Sequence, residues 1–285
     1  MKKLVFSFMS IVLLLSLAAC GQQTADPVDS KTKKKTELTL AEVFSKTTEA
    51  SKELKSVHSD MELNQTMNVP GQDETMDIHS NIAVDMVLNP MTMYEKMKMS
   101  MKGGDESLQD QAMDVEAYLA KEGFFFYDPT TKQWLKMPEE LSSQILQMPE
   151  QQVNPAEQLK QLQQFTDDFS FKQNDTHYIL NLKASGEKFD KFLKDNAKQL
   201  MPDALKESAA ALDDIHFKNV NYEIFIDKKT FNITALNMNQ EMEMNVEGQK
   251  LSLKQKMKGT YSDYNKINEI KVPQEVLDNA QEINE

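Results

Sequence analysis

From residue 57 to residue 119, apolar and polar residues alternate with a period of two, and turn signals cut the alternation into segments. Val57, Met61, Leu63, Met67 and Val69 share one parity, against His58, Asp60, Glu62, Asn64 and Thr66 on the other, before Pro70-Gly71. Met76, Ile78, Ile82, Val84, Met86 and Leu88 then oppose Asp77, His79, Asn81 and Asp85, and Asn89-Pro90 turns the chain again. The third segment carries Met91, Met93, Met97, Met99 and Met101 on odd positions, with Lys96, Lys98 and Lys102 on even ones. The fourth sets Met113, Val115, Ala117 and Leu119 against Asp114 and Glu116. Successive side chains of a strand point to opposite faces, so the pattern predicts an antiparallel meander with one wet face and one covered face.

Elsewhere the period is helical or the runs are short. Thr39-Leu40-Ala41-Glu42 has the form of a capping box, and Leu40, Val43, Phe44, Thr47 and Leu54 follow at helical spacing. Phe124 to Tyr127, an Asp128-Pro129 turn and Trp134 suggest two more strands. Leu141 and Ile145 share a helical face, and Asn154-Pro155 opens a helix carrying Leu159, Leu162 and Phe165. Short strands are expected around Phe169 to Phe171 and Tyr178 to Leu182. A helical pair follows, first with Phe189, Phe192, Leu193, Ala197 and Leu200, then, after Pro202, with Leu205, Ala209 and Leu212. Three long strands finish the chain. Val220, Tyr222, Ile224 and Ile226 share a face, as do Leu236, Met238, Met242, Met244 and Val246, and then Leu251, Leu253 and Met257. Phe231 and Ile233 are out of phase with Leu236, which predicts a bulge or a bend near Ala235. The order implies an α+β protein, a strongly curved antiparallel sheet with helices packed on its apolar face.

The first residues change where this domain is expected to work. Met1-Lys2-Lys3 is a short positive segment, Leu4 to Ala19 is almost wholly apolar, and Leu17-Ala18-Ala19-Cys20 closes it. Residues 1–19 therefore read as a secretory signal, too short and wrongly flanked to span a bilayer. The Leu-Ala-Ala-Cys end resembles the lipobox of bacterial lipoproteins, which implies cleavage before Cys20 and a diacylglyceryl group on its sulfur. Two acyl chains hold a protein stably at a membrane, at about 0.8 kcal/mol per buried CH2. Residues 20–37 then read as the lipidated cysteine and a flexible tether spanning roughly 20–25 Å as a coil. Lys31, Lys33, Lys34 and Lys35 lie within it, where they either lean on anionic head groups or simply keep it solvated. Residues 38–285 are expected to form a single domain.

Composition removes several function classes. Cys20 is the sole cysteine, so no disulfide, catalytic thiol or thiolate metal site is available. The formal charge of −13 becomes −15 once Lys2 and Lys3 leave, and so acidic a body does not suit nucleic acid. The chain has no G-x-S-x-G, H-E-x-x-H, phosphate-binding loop or cofactor fingerprint, so neither enzyme nor cofactor is expected. His58 and His79 fall on the polar faces of adjacent strands, but their numbers do not match across the Pro70-Gly71 turn, and no metal is expected there.

A lipobox, a polar tether, the segment "LAEVFSKTTEASKELKSVHSDMEL", amphipathic meanders and a late "YEIFIDKKTFNITALNM" together resemble the LolA-like lipoproteins, including the LppX and LprG group. The chain is more similar still to uncharacterised lipoproteins of low-GC Gram-positive bacteria. The resemblance covers most of residues 38–268 and implies an open half-barrel whose concave apolar face, covered by helices, encloses a cavity for acyl chains. It transfers no individual binding residue. The methionines fit such a role. Of 19 in the chain, most fall on predicted strands. Thioethers bind Cu(I), but here they are strung along about 33 Å of strand rather than converging on a point. Val or Ile would suit a closed strand core better, whereas an unbranched, polarisable side chain suits a surface that repacks around varied partners. Cavity and core both remain open readings. The cavity reading assigns its lining to Met61, Met67, Met76, Met86, Met93, Met97, Met99, Met101, Met238, Met242, Met244 and Met257. The expected function is that of a membrane-anchored, extracytoplasmic protein that binds or carries a lipid or other apolar ligand. The alternative is an interaction or sensor module of the envelope that holds no ligand.

Overall fold

A computed structural model of the chain describes residues 24–28, 37–68, 75–103, 112–147, 154–201, 212–246 and 249–283. Cys20 and the expected signal, Lys31 to Lys35, the turn at Pro70-Gly71, and the expected helix carrying Leu205 and Ala209 lie outside the described residues.

Among the described residues, two meanders and two short edge strands build a single open sheet of 13 strands. The first runs β2 (Ser56–Asn68), β3 (Met76–Leu88), β4 (Met91–Lys102), β5 (Ala112–Ala120), β6 (Gly123–Asp128) and β7 (Gln133–Lys136). The second runs β8 (Phe169–Gln173), β9 (His177–Ala184), β10 (Ile215–Asp227), β11 (Ile233–Val246) and β12 (Gln249–Ser262). Pairing of β12 with β2 joins the two, with Met257 opposite Leu63. The sheet is mixed, where a purely antiparallel one was expected. The two-residue strands β1 (Asp26–Pro27) and β13 (Gln281–Glu282) run parallel to β8 and β7 at the two edges. Segments that arrive from elsewhere in the chain are free of the hairpin constraint that makes neighbouring strands antiparallel. Pro27 lacks a donor and β1 is very short, so this edge offers little to a further strand.

The expected bulge is present. Phe225 pairs with Ala235 and Ile226 with Ile233, which leaves Thr234 unpaired. The extra residue brings Leu236 onto the face of Ile224 and restores the phase that the sequence breaks.

Among the described residues five α-helices accompany the sheet: α1 (Leu40–Ser51), α2 (Glu139–Leu146), α3 (Pro155–Gln161), α4 (Glu187–Leu200) and α5 (Gln274–Asn279). The Thr39 hydroxyl accepts from the Glu42 amide at 3.2 Å, and the Glu42 carboxylate accepts from the Thr39 amide at 2.7 Å. Asn154 accepts from the Ala156 amide at 3.0 Å and donates to the Ser51 carbonyl at 3.2 Å. One side chain thus starts α3 and satisfies the end of α1, which explains a buried asparagine at a cap.

The largest core lies at the β8–β10 end. Leu40, Val43 and Phe44 of α1, Leu159 of α3, Phe165 of the 3-10 turn Leu162–Asp168 and Phe189 of α4 pack with Phe171, Leu180, Leu182 and Ile226. Phe44 meets Phe169 edge-on with ring centroids 5.6 Å apart, and Phe165 meets Phe189 at 4.8 Å. By contrast, every methionine on the strands is only half-buried. The methionine-rich middle of the sheet is not part of this core.

Candidate functional site

The helices that cover the β8–β10 end leave a space at its inner side. A cavity of about 250 Å3 lies between α3, α4 and the sheet. From the helices it is lined by Leu159, Leu162, Phe192 and Leu193, and from β10–β12 by Tyr222, Ile224, Ile233, Leu236 and Tyr261. Its polar lining is Gln158, Gln161, Asn196 and Gln199, with no charged side chain among the lining residues. The three glutamines are exposed, so the amides mark the mouth. Each pair sits three residues apart on its helix, and so on the same side. Gln158 and Gln161 flank Leu159, and Asn196 and Gln199 follow Leu193, so the helix faces that bury leucine also bring these amides to the opening. The volume falls just under the roughly 300–1,000 Å3 of ordinary ligand pockets, enough for part of an acyl chain.

The sheet register shows how this space relates to the methionines. Ile224, Leu236, Gly259, Met61, Ile82, Met97 and Val115 pair in one continuous row from β10 to β5. The next row runs Tyr222, Met238, Met257, Leu63, Ser80, Met99 and Met113. The floor of the cavity is therefore the start of two rows that cross five more strands, about 24 Å at sheet spacing. None of the twelve methionines expected to line a cavity lines this one. Met61, Met97, Met99, Met238 and Met257 lie on the two rows leading away from it. A Cβ at Gly259 would meet the Leu236 carbonyl oxygen and Cγ of Met61 at 3.4 Å, van der Waals contact, so the row is closely spaced there.

The other methionines sit farther along the same face. Met242, Leu253, Met67 and Met76 form one row, Met86 pairs with Met93, Met101 faces Ile78, and Met244 lies between Ile215 and Leu251. A glutamine row separates the first group from the Met242 row. Gln240 donates to Gln255 at 3.2 Å, and Gln255 is opposite Gln65.

Odd numbering also places Glu95 on the methionine face, between Val84 and Ala117. Sequence reasoning passed over it, although its parity is the same as that of Met93 and Met97. Burial raises its carboxyl above the usual value of 4.5. The folded protein therefore keeps this proton to higher pH than the unfolded chain. Its contribution favours folding below about pH 4.5 and is lost as pH rises through the folded pKa. Glu95→Gln is expected to stabilise the protein at pH 7, with little difference at pH 4. Urea unfolding at both pH values checks this, and an equal gain at both would dismiss burial of the charge as its cause.

On the opposite face, His58 lies between Asp85, at 2.6 Å, and Asp60, at 3.1 Å. Partial burial opposes its protonation, but the two carboxylates outweigh this and raise its pKa. His79 instead pairs with Asn64, six residues along β2, so the two histidines do not meet. Among the described residues, no group of three or more His, Cys, Asp or Glu is placed to hold a metal ion. Among them, too, no helix is long and apolar enough to cross a membrane.

No curated protein matches the chain in sequence. Among solved structures, it is similar to a DUF1329 family protein from Desulfovibrio piger at 7% identity. The match covers 79% of this chain and 93% of that one with a TM-score of 0.23, a likeness too distant to inform the site. Residues 39–281, nearly all of the folded domain, match DUF6612, a family of unknown function, and the chain belongs to that family.

Proposed function

We propose that the protein is a membrane-anchored, extracytoplasmic lipoprotein, without enzymatic activity, that binds or carries a lipid. In this reading the sheet is a curved half-barrel of the LolA-like kind, and Cys20 carries the diacylglyceryl anchor. One observation carries the proposal: an apolar cavity under α3 and α4 whose floor continues, row by row, into a half-exposed methionine face. A closed core would bury those side chains, and an ordinary water-facing surface would not concentrate them. Acyl chains would enter between the helices and the sheet and extend over Met238, Met257 and Met61, whose flexible side chains repack around them. Four amides at the mouth suit a head group that takes and gives hydrogen bonds without a formal charge.

Native mass spectrometry of residues 21–285, exported by the producing cell behind a cleavable signal in place of Cys20 and purified without detergent, tests the proposal. These boundaries keep Thr24 to Val28, since Ala25 is fully buried. A lipid mass on the folded protein is the expected result. A bare polypeptide that takes up no lipid on incubation would overturn the carrier reading. The half-exposed methionine face would then favour an envelope interaction module.

A further inference from the structure

The segment that reads as a free tether is partly built into the fold. Asp26 and Pro27 pair with Lys172 and Gln173, and the Val28 amide donates to the Gln173 carbonyl at 2.9 Å. Ala25 is fully buried in the same core as Leu40 and Phe171. Buried Gln173 donates to the Ala25 carbonyl at 3.5 Å and accepts from the Lys228 ammonium at 2.7 Å, while Thr24 forms a bridge with Thr39. The chain is thus held by backbone pairing, by a buried side chain and by a buried amide.

Arithmetic on the chain gives this dock a consequence. Only five residue steps separate Cys20 from Ala25, a reach of about 18 Å at full extension, against roughly 60 Å for a free segment running to Glu37. We propose that β1 holds the β8 edge of the sheet against the bilayer, so that the membrane surface is the partner of that edge. The placement rests on the anchor reading of Cys20. An independent feature agrees with it. Val28, immediately after β1, is 53% exposed, and it and Ile283 are the two exposed large apolar residues among those described. An isolated apolar side chain beside an anchor has a natural place at the head-group boundary.

The test uses the full-length lipidated protein in vesicles of phosphatidylglycerol and phosphatidylcholine that contain a nitroxide-headgroup lipid. A fluorophore is placed on Ser170→Cys in β8 or on Lys258→Cys in β12, both exposed and about 19 Å apart at four strand spacings. Quenching at position 170 is expected to be at least twice that at 258. Ala25→Asp, which puts a carboxylate into the core, should abolish that difference. Where this variant unfolds, ten Gly/Ser residues inserted after Gly21 leave the dock intact and should lower quenching at 170 at least twofold. Equal quenching at the two positions, or a difference indifferent to the insertion, would overturn the placement. Loss of the diacylglyceryl mass on Cys20 is read separately by intact mass. Its absence would sink the anchor reading and the placement with it, whereas lipidated protein with equal quenching sinks the placement alone.

Discussion

Leu180→Ala is expected to lower the stability of the domain by about 2–5 kcal/mol, the cost of a large-to-small change in a core that cannot collapse around it. Leu180 has no exposed surface and stands between Phe171 of β8 and Ile224 of β10. Met97→Ala, in the middle of the sheet, is expected to cost about 1 kcal/mol, because part of the Met97 side chain is already in water. Urea unfolding of the two variants side by side gives the comparison. The contrast matters more than either value. A closed sandwich core would spread the cost evenly along the sheet, whereas a packed end joined to an open apolar floor concentrates it under α1, α3 and α4. Equal losses would make the methionine face an ordinary core and remove the main support for ligand binding.

The sheet was legible because its signals are local and redundant. Alternation over 12 or more residues in β3 and β4, with Asn89-Pro90 between them, defines both strands and their pairing, and Met86 duly faces Met93. The caps at Thr39 and Asn154 were equally readable, since each needs only a hydrogen-bonding side chain beside an apolar helical face. Two kinds of feature were not. β1, β13 and α5 are two to six residues long and take their stability from distant segments, so they leave almost no periodic trace. Asn265 illustrates the point, accepting from the Lys55 amide at 2.6 Å and donating to the Glu53 carbonyl at 2.9 Å across more than 200 residues of sequence. Nor was the cavity visible. Leu159, Phe192, Tyr222 and Ile224 were all recognised as members of apolar faces, but helices set one strand spacing farther along the sheet would have placed the space over Gly259 and Met257 instead. Where cover ends and open floor begins is decided by packing between α3, α4 and β10, and periodicity within each segment does not report it.

For the proposed carrier, that same boundary makes Leu236→Trp the change expected to damage lipid uptake most. Leu236 lies on the cavity floor between Ile224 and Gly259, with α4 above and the first methionine row beyond it. An indole there occupies space that about three methylenes of an acyl chain would take. At about 0.8 kcal/mol each, their loss is worth roughly 2.4 kcal/mol, a weakening near fiftyfold. Overpacking would cost about 1–3 kcal/mol of stability, so unfolding is measured alongside binding. Titration with a fluorescent diacyl lipid gives the affinity, and the new indole is a second reporter besides Trp134, the only tryptophan of the natural chain. Met97→Gln with Met99→Gln provides the counterpart, since these residues lie on the exposed continuation of the floor. Polar groups there should weaken binding less than Leu236→Trp does, because the chain's distal methylenes remain partly in water on that face. Undiminished binding by a folded Leu236→Trp protein would exclude the cavity as the seat of the ligand. If the double variant then lost binding, the methionine face alone would hold it. The pair of measurements thus decides how far along these two rows an acyl chain would lie, starting from the part of the floor beneath α3 and α4.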